Sequence, residues 1–300
     1  MTQKAFETSQ ISLLGDRRNN QDRCAVFVSA GVVLLVVADG MGGHPKGEEA
    51  AQIVIDCCHD SFMRVKKPIA EPERFLDYLA HQAHDQILAY GEAEDPPVDP
   101  RTTLVLCLVQ EGRAWWGHVG DSRLYHFRQG DLLQRTLDHS YVERLRQDGL
   151  IEANEMERHP FKNYVTRCLG GLGATPEPTL GPSAVVLEPG DVLLLCSDGL
   201  WGPLGDERLA LAFDAEEMHL DSLLRNTANM AQYEASPGSD NISAVVLRWL
   251  KPAVAEAESP QPAQPQFNGD SLDAAMQRLR YALENFDGQR RPDGDAGSKD

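Results

Sequence analysis

The residues with the clearest chemical potential are aspartates that lie at the ends of short apolar segments. They are Asp22, Asp39, Asp121, Asp198 and Asp240. Asp39 and Asp198, for example, each follow a Val- or Leu-rich run and precede a glycine. A single Asp-Gly pair usually marks a turn, because aspartate hydrogen-bonds to its own backbone and glycine accepts a positive φ. Repetition of this pattern along the chain predicts instead that several strand ends meet in one cleft.

Carboxylates gathered in a poorly solvated cleft repel one another and persist only when cations lie among them. Oxygen ligands select hard ions such as Mg²⁺ or Mn²⁺, whereas zinc prefers nitrogen and sulfur. Gly40, directly after Asp39, would allow a backbone carbonyl to reach the same ion. Two such ions can hold a water between them, lower its pKa and screen a phosphate while the hydroxide attacks phosphorus. The aspartates therefore predict metal-dependent phosphate hydrolysis.

Such a substrate also needs a cationic partner from the protein. Arg17 and Arg18 lie just before Asp22. A guanidinium binds phosphate oxygens through two parallel hydrogen bonds, so either arginine is a candidate.

Five segments, in this order along the chain, resemble the motifs of the metal-dependent type 2C (PPM) protein serine/threonine phosphatases in their bacterial form. They are residues 17–22 (RRNNQD), 38–44 (ADGMGGH), 119–123 (VGDSR), 196–200 (CSDGL) and 240–243 (DNIS). The resemblance extends over about residues 8–250, with a flap region between about residues 138 and 170. It implies an enzyme that hydrolyses phosphoserine and phosphothreonine monoesters and opposes a serine/threonine kinase.

The resemblance also implies a set of ligands for two Mn²⁺ or Mg²⁺ ions and a third, weaker site. The set is Asp22, Asp39, Asp121, Asp198, Asp240 and, through its backbone carbonyl, Gly40. Asp39 would bridge two ions, and Asp198 and Asp240 would complete the ligands of one of them. Asp22 would lie near the other ion, partly through water, and Asp121 would share the third ion with Asp198.

Further roles follow from the same resemblance. Arg17 matches the phosphate-binding arginine of the family. His44 is expected either to protonate the leaving serine or threonine oxygen, because imidazole titrates near neutral pH, or to structure its own loop. Gln21, Ser122 and Asn241 are expected to lie around the ligands without binding the ions directly. Gln21 stands where many members have Glu, so its amide keeps hydrogen bonds to water but removes one negative charge.

The apolar pattern predicts an α+β fold. Short Val- and Leu-rich runs, typical of buried strands, occur at residues 32–38, 104–109, 114–119, 192–196 and 242–249. Several follow one another without a helix between them, which indicates antiparallel sheets. Helical stripes occur at residues 47–63, 72–90 and 221–233. We therefore expect a central sandwich of two antiparallel β-sheets flanked by α-helices.

The composition excludes several other classes of function. A net charge of −18 repels nucleic acids and anionic membrane surfaces. The N-terminus lacks the apolar segment of a signal peptide, and a cytoplasmic protein with structural free cysteines is expected. Cys107 and Arg113 match the C-x₅-R spacing of cysteine phosphatases, but the intervening residues lack the glycine-rich loop of that site.

The domain organisation predicted from composition has four parts. Residues 1–250 form the catalytic domain, 251–269 a Pro/Ala-rich linker, 270–287 an amphipathic helix and 288–300 a disordered tail. The helix is expected either to dock on the domain or to bind a partner or a second copy. The alternative function is a non-catalytic phosphoprotein-binding or scaffolding module that acts through this helix.

Overall fold

The computed structural model describes residues 5–250 except 157, 173–174 and 215–217. The predictions for residues 251–269, 270–287 and 288–300 lie outside this range. In chain order, the strands are β1 (Phe6–Leu13), β2 (Asp22–Ser29), β3 (Val32–Asp39), β4 (Arg101–Thr102), β5 (Leu104–Gln110), β6 (Arg113–Val119), β7 (Arg123–Arg128), β8 (Asp131–Arg135), β9 (Leu169–Gly170), β10 (Thr179–Leu180), β11 (Val185–Val186), β12 (Val192–Cys196) and β13 (Ile242–Trp249). The helices are α1 (Gly47–Arg64), α2 (Pro72–Ala93), α3 (Tyr141–Gln147), α4 (Ala153–Met156), α5 (Asp198–Ala212) and α6 (Leu220–Ala235).

The strands form two main sheets, and every strand pair among the described residues is antiparallel. One sheet has the order β1-β13-β12-β7-β8, and the other has the order β10-β6-β5-β3-β2 with β11 also beside β6. A short pair, β4 and β9, stands apart from both sheets. The predicted antiparallel sandwich is confirmed.

The central strands are apolar on both faces because each face contacts a different layer. In β3, Val33 and Leu35 belong to the core between the sheets, while Leu34 and Val36 pack with α1 and α2. Successive side chains of a strand point to opposite faces, so this continuous apolar run fills two cores at once. A third core lies under α5 and α6, against the other sheet. The layers are therefore helices, sheet, sheet and helices.

The predicted helices occur as α1, α2 and α6, each within a few residues of its expected bounds. α5 was not predicted; its segment contains Gly199, Gly202, Pro203 and Gly205, residue types of low helix propensity. The helix forms nonetheless, with a break at Gly205, where φ is 69°. Within the described residues, no helix combines the length and hydrophobicity needed to span a bilayer.

A buried ionic network ties β7 to the turn before β12. Asp191 is fully buried and accepts hydrogen bonds from Arg128 Nε and Nη2 at 2.7 and 2.9 Å and from His126 Nε2 at 3.0 Å. The backbone N–H of Glu188 donates to the same carboxylate at 2.9 Å. Burial alone would raise the pKa of Asp191, but these hydrogen bonds lower it to about 2.

We expect Asp191→Asn to lower the free energy of unfolding at pH 7 by about 3 kcal/mol, because Arg128 loses its buried ionic partner. The folded-state pKa lies below the unfolded value of 3.8, so the contribution of the carboxylate is lost as the pH falls toward 2. Urea unfolding at pH 7 and at acid pH measures both effects. The control is Asp60→Asn, whose carboxylate is exposed. Equal losses in the two variants would contradict this assignment.

Candidate metal centre

The strand register brings the predicted aspartates to one end of the sandwich. Asp22 and Asp39 are direct partners across β2 and β3, so their side chains lie on the same face. Asp198 follows the end of β12, and Asp240 precedes the start of β13, its antiparallel neighbour. Asp121 lies in the short connection that leads from β6 in one sheet to β7 in the other. Positions far apart in sequence therefore meet at this edge.

Burial and mutual repulsion raise the pKa values of Asp22, Asp39, Asp121 and Asp198. Burial is the main cause for Asp39 and Asp198, whose pKa values lie well above the ordinary range, and the charges of neighbouring aspartates add to it. Burial also raises the pKa of Asp22 to about 6 and that of Asp121 to about 7. The carboxyls thus oppose one another's ionisation.

In the part of the chain that the structure describes, no group of three or more His, Cys, Asp or Glu side chains is arranged to hold a metal ion as it stands. The electrostatic contacts nevertheless link Asp39 with Asp22, Asp121, Asp198 and Asp240. The chemistry of this donor set, buried oxygens that repel one another, fits hard divalent cations such as Mn²⁺ and Mg²⁺.

Two hydroxyl side chains that the sequence analysis missed hold Asp22 and Asp39 in place. Ser197 Oγ donates to Asp22 Oδ2 at 2.7 Å. Thr103 Oγ1 accepts from the Asp39 backbone N–H at 3.0 Å and contacts Ser122 Oγ at 2.7 Å. Ser197 and Thr103 both stand directly beside an apolar run, the same position that singled out the aspartates. Ser122, one of the predicted outer residues, therefore acts on Asp39 through Thr103.

Gly40 lies where the backbone of three segments converges. Its N–H donates to the carbonyl of Gln21 at 3.1 Å. A Cβ atom at Gly40 would lie 2.4 Å from the Gly47 carbonyl oxygen and 2.7 Å from that of Gln21. Only glycine fits here, because any side chain at this position would clash with the backbone of Gly47 and Gln21.

Arg17 contacts the aspartate group directly. Its Nη2 lies 2.6 Å from Asp240 Oδ2, and both side chains are partly exposed. Arg18 is exposed and, within the described residues, has no side-chain partner. The structure therefore favours Arg17 over Arg18 as the residue that serves this site. An exposed ion pair contributes little stability, so the Arg17 guanidinium can exchange Asp240 for another anion.

Asn241 fixes the segment that carries Arg17 and Asp22. Its Nδ2 donates to the carbonyls of Leu14 and Asn19 at 2.8 and 3.0 Å, and its Oδ1 accepts from the Gln21 N–H at 2.9 Å. These three hydrogen bonds join the residues after β1 to the start of β13. Asn241 is thus a positioning residue for both Arg17 and Asp22.

The Gln21 amide has a partner that the sequence did not indicate. Its Nε2 donates to Glu48 Oε2, on the first turn of α1, at 3.1 Å. A Cβ at Gly42 or Gly47 would lie 2.9 Å from the Oε1 or Nε2 atom of this amide, respectively. Gln21 therefore packs inside the 41–46 loop and links it to α1.

His44 lies in this same loop. Its backbone N–H donates to the Met41 carbonyl at 3.0 Å. Within the described residues its ring has no hydrogen bond, and it interacts electrostatically with Asp99. His44 therefore lies in the loop that follows Asp39 and Gly40, and its ring is hydrogen-bonded to none of the five aspartates.

A second set of residues that the sequence analysis missed supports Asp121. Trp201 Nε1 donates to the Asp121 carbonyl at 3.0 Å. The Arg123 guanidinium lies over the Trp201 ring, 3.4 Å from its centroid, and binds both Asp138 oxygens at 2.7 and 2.8 Å. This chain of contacts joins the β6–β7 connection to α5 and to the start of the flap.

The cysteine-phosphatase alternative is excluded by burial. Cys107 is fully buried between the sheets, and burial raises the pKa of its thiol. Its partners in the strand register are Leu35 and Trp116, and Arg113 lies further along the neighbouring strand. The thiol therefore cannot reach a substrate.

The comparisons with known proteins agree with this geometry. The model of the protein phosphatase 2C family matches residues 12–250. The serine/threonine protein phosphatase PstP of Mycobacterium tuberculosis is 36% identical over 202 residues, which make up 67% of this chain and 37% of that protein. The chain thus spans little more than a third of this curated relative.

Solved structures show the same fold. The serine/threonine phosphatase of S. agalactiae has a TM-score of 0.73 and 30% identity, covering 82% of this chain and 100% of that chain. The catalytic domain of PstP in complex with two manganese ions has a TM-score of 0.68 and 31% identity, covering 82% of this chain and 99% of that chain. The resemblance read from the five motifs is confirmed: the chain belongs to the protein phosphatase 2C family.

Proposed function

We propose that this chain is a metal-dependent protein phosphatase that hydrolyses phosphoserine and phosphothreonine and opposes a serine/threonine kinase. The observation that carries the proposal is the buried group of aspartates whose charges oppose one another at one end of the sandwich. Only bound cations make such a group favourable when it is ionised. Membership of the phosphatase family supports the same activity.

The residues that would hold Mn²⁺ or Mg²⁺ follow from their placement. Asp39 lies among the other carboxylates and would serve two ions, with Gly40 contributing its carbonyl. Asp198 and Asp240 would complete one site, Asp22 would support the other, and Asp121 with Asp198 would form a third and weaker one. The manganese complex of PstP supports two ions. When bound, the ions screen the charge of the phosphate and activate water as the nucleophile.

The chain's own side chains orient the substrate. Arg17 would leave Asp240 and bind two phosphate oxygens, since a guanidinium matches phosphate in geometry and charge. Ser197 keeps Asp22 in one orientation, and Asn241 keeps the Arg17 segment close to β13. His44 would donate a proton to the leaving serine or threonine oxygen from the 41–46 loop.

A phosphorylated protein is the proposed substrate, and a cytoplasmic location is part of the proposal. The non-catalytic alternative, a scaffold acting through residues 270–287, is not favoured. A scaffold would not account for the repulsion among the buried aspartates, which a metal-binding role explains. We retain partner binding through residues 270–287 as part of the proposal.

The activity itself is tested with Asp39→Asn. We expect the wild-type protein to hydrolyse para-nitrophenyl phosphate and phosphothreonine peptides with Mn²⁺ and to lose both activities with EDTA. The variant should be slower by about 100-fold or more, because metal ions supply several kcal/mol to such reactions. Asp56→Asn, an exposed carboxylate on α1, is the matched control.

Thermal melting separates lost chemistry from lost folding. Mn²⁺ should raise the Tm of the wild type but not that of Asp39→Asn, because only the former binds it tightly. Without metal the variant should melt no lower than the wild type, since the substitution removes repulsion. Full activity after chelation, or a strong preference for phosphotyrosine, would contradict the proposal.

Arg17→Ala and Arg18→Ala form a matched pair of neighbours. We expect Arg17→Ala to reduce kcat/KM by about 10- to 100-fold, the worth of a charge-assisted bidentate contact. Arg18→Ala should change kcat/KM by less than about threefold, because its guanidinium has no side-chain partner near the site. Steady-state kinetics with a phosphothreonine peptide measures both. Similar losses in both variants would disprove a specific role for Arg17.

The contact between Gln21 and Glu48 is tested by exchanging the two residues. Gln21→Glu places two carboxylates together, so we expect the metal-free protein to lose about 1 kcal/mol of stability. Adding Glu48→Gln restores one amide donor and one carboxylate, and should recover most of this loss. Chemical unfolding in EDTA measures the cycle. Additive losses in the double variant would show that the contact does not position the loop.

A further inference from the structure

A cavity lies beside the aspartate group, and the proposed catalytic role uses none of its lining. It has a volume of about 760 Å³ and lies between β6, β10 and the residues that lead into α3. None of the five aspartates lines it. His118 and His139 lie in its wall with their rings stacked, 4.4 Å between centroids.

One peptide segment separates this cavity from the aspartate group. The backbone N–H of His139 donates to the Gly120 carbonyl at 2.9 Å, and the Gly120 N–H donates to His139 Nδ1 at 3.2 Å. Gly120 is covalently joined to Asp121, which faces the aspartates. A peptide bound with one residue at the aspartate group can therefore place a nearby residue in the cavity.

Arginines dominate the charge of the lining. Arg135, Arg144 and Arg167 line the cavity, against two aspartates, Asp138 and Asp148. The Asp138 carboxylate is already bound on both oxygens by Arg123, which lies outside the lining. Arg135 is likewise paired, with Asp206 outside the lining at 3.3 Å, so Arg144 and Arg167 are the cations that this cavity offers to a ligand in a chain with a net charge of −18.

The arginines differ in how firmly they are held. Arg144 is exposed, and within the described residues its guanidinium has no hydrogen-bond or ion-pair partner. Arg167 lies 3.3 Å from Glu177, in a pair whose members are both well exposed. Exposed pairs of this kind are weak, so Arg144 and Arg167 can bind an incoming anion.

The two histidines add no positive charge to the cavity. Burial lowers the pKa of His139 to about 3 and also lowers that of His118, so both rings are neutral at physiological pH. The Gly120 N–H donates to His139 Nδ1, so the other ring nitrogen carries the proton and donates to Thr179 Oγ1 at 2.8 Å. The part of the wall that these two rings form is therefore polar but uncharged.

We propose that this cavity binds an anionic side chain, acidic or phosphorylated, that flanks the phosphoresidue in the same substrate peptide. The proposal rests on the phosphatase function proposed above and names a class of preferred substrate. It also opposes the expectation from overall charge, because a chain of net charge −18 should favour basic peptides. The preference of the enzyme among peptides of different charge therefore distinguishes the effect of the cavity arginines from that of the net charge of the chain.

The test compares phosphothreonine peptides that differ only in one flanking residue. Glutamate is placed at successive positions on either side, with alanine and lysine peptides as references, and the full-length chain is assayed with Mn²⁺. We expect glutamate at one or two positions to raise kcat/KM about tenfold over alanine, the effect of one charge-assisted hydrogen bond. High salt should reduce this preference. A second phosphothreonine at the same position shows whether phosphate is bound better than carboxylate.

Arg144→Glu is the decisive variant, because an exposed residue can be reversed in charge without unfolding the chain. It should abolish the preference for glutamate or convert it to one for lysine, while turnover of para-nitrophenyl phosphate stays within about twofold. Arg74→Glu, a reversal on α2 away from the cavity, should leave the preference intact.

Two outcomes would overturn the inference: no preference for flanking acids in the wild type, or a preference that survives Arg144→Glu. Failure of the phosphatase function itself would be distinct, since the alanine peptide and para-nitrophenyl phosphate would then both remain uncleaved.

Discussion

Repulsion among buried carboxylates is the constraint around which this protein is built. Burial raises the pKa of Asp39 well above its ordinary value, and the charges of four other aspartates raise it further. A group of this kind lowers the stability of a fold when it is ionised, so its retention requires a compensating function. In the proposed function, divalent cations would provide that compensation and at the same time supply the chemistry of phosphate hydrolysis.

The sandwich can tolerate this arrangement because its central strands are buried on both faces. β3 and β13 each contribute side chains to the core between the sheets and to a core beneath a helical layer. The unfavourable electrostatic free energy of the aspartates is confined to one edge of the sandwich, where hydroxyl and amide groups form hydrogen bonds with them or with their neighbouring backbone. Ser197, Thr103 and Asn241 each bind a ligand or its neighbouring backbone, so the geometry does not depend on the aspartates alone.

The same edge carries two charge environments separated by a single connection. On one side of Gly120 the aspartates form an acidic group that needs cations. On the other, arginines line a cavity suited to anions. Trp201 and Arg123 brace this connection through the Asp121 carbonyl and Asp138. A substrate that carries its own negative charges would meet cations at both sides, although the protein as a whole is strongly acidic.

Much of the fold and of the site was predictable because the signals are local. The apolar runs that became β3, β5, β6, β12 and β13 are too short for helices, and aspartate after such a run marks a strand end. β1 was not identified, because an edge strand alternates polar and apolar residues and has no continuous apolar run. α5 was obscured by its glycines and proline, whose turn preference is overridden by packing against β13 and α6.

Local patterns in the sequence were enough to predict which residue types could bind metal and phosphate and at which strand ends they would lie. The partners of these residues depend on the tertiary fold: Arg17 pairs with Asp240, Gln21 with Glu48, and Ser197 with Asp22. It also assembled the arginine-lined cavity from β6, β8, α3 and the residues beyond it. The physical reason is that strand periodicity is a property of neighbours along the chain. Hydrogen bonds and charge pairs depend on which distant segments the register brings together.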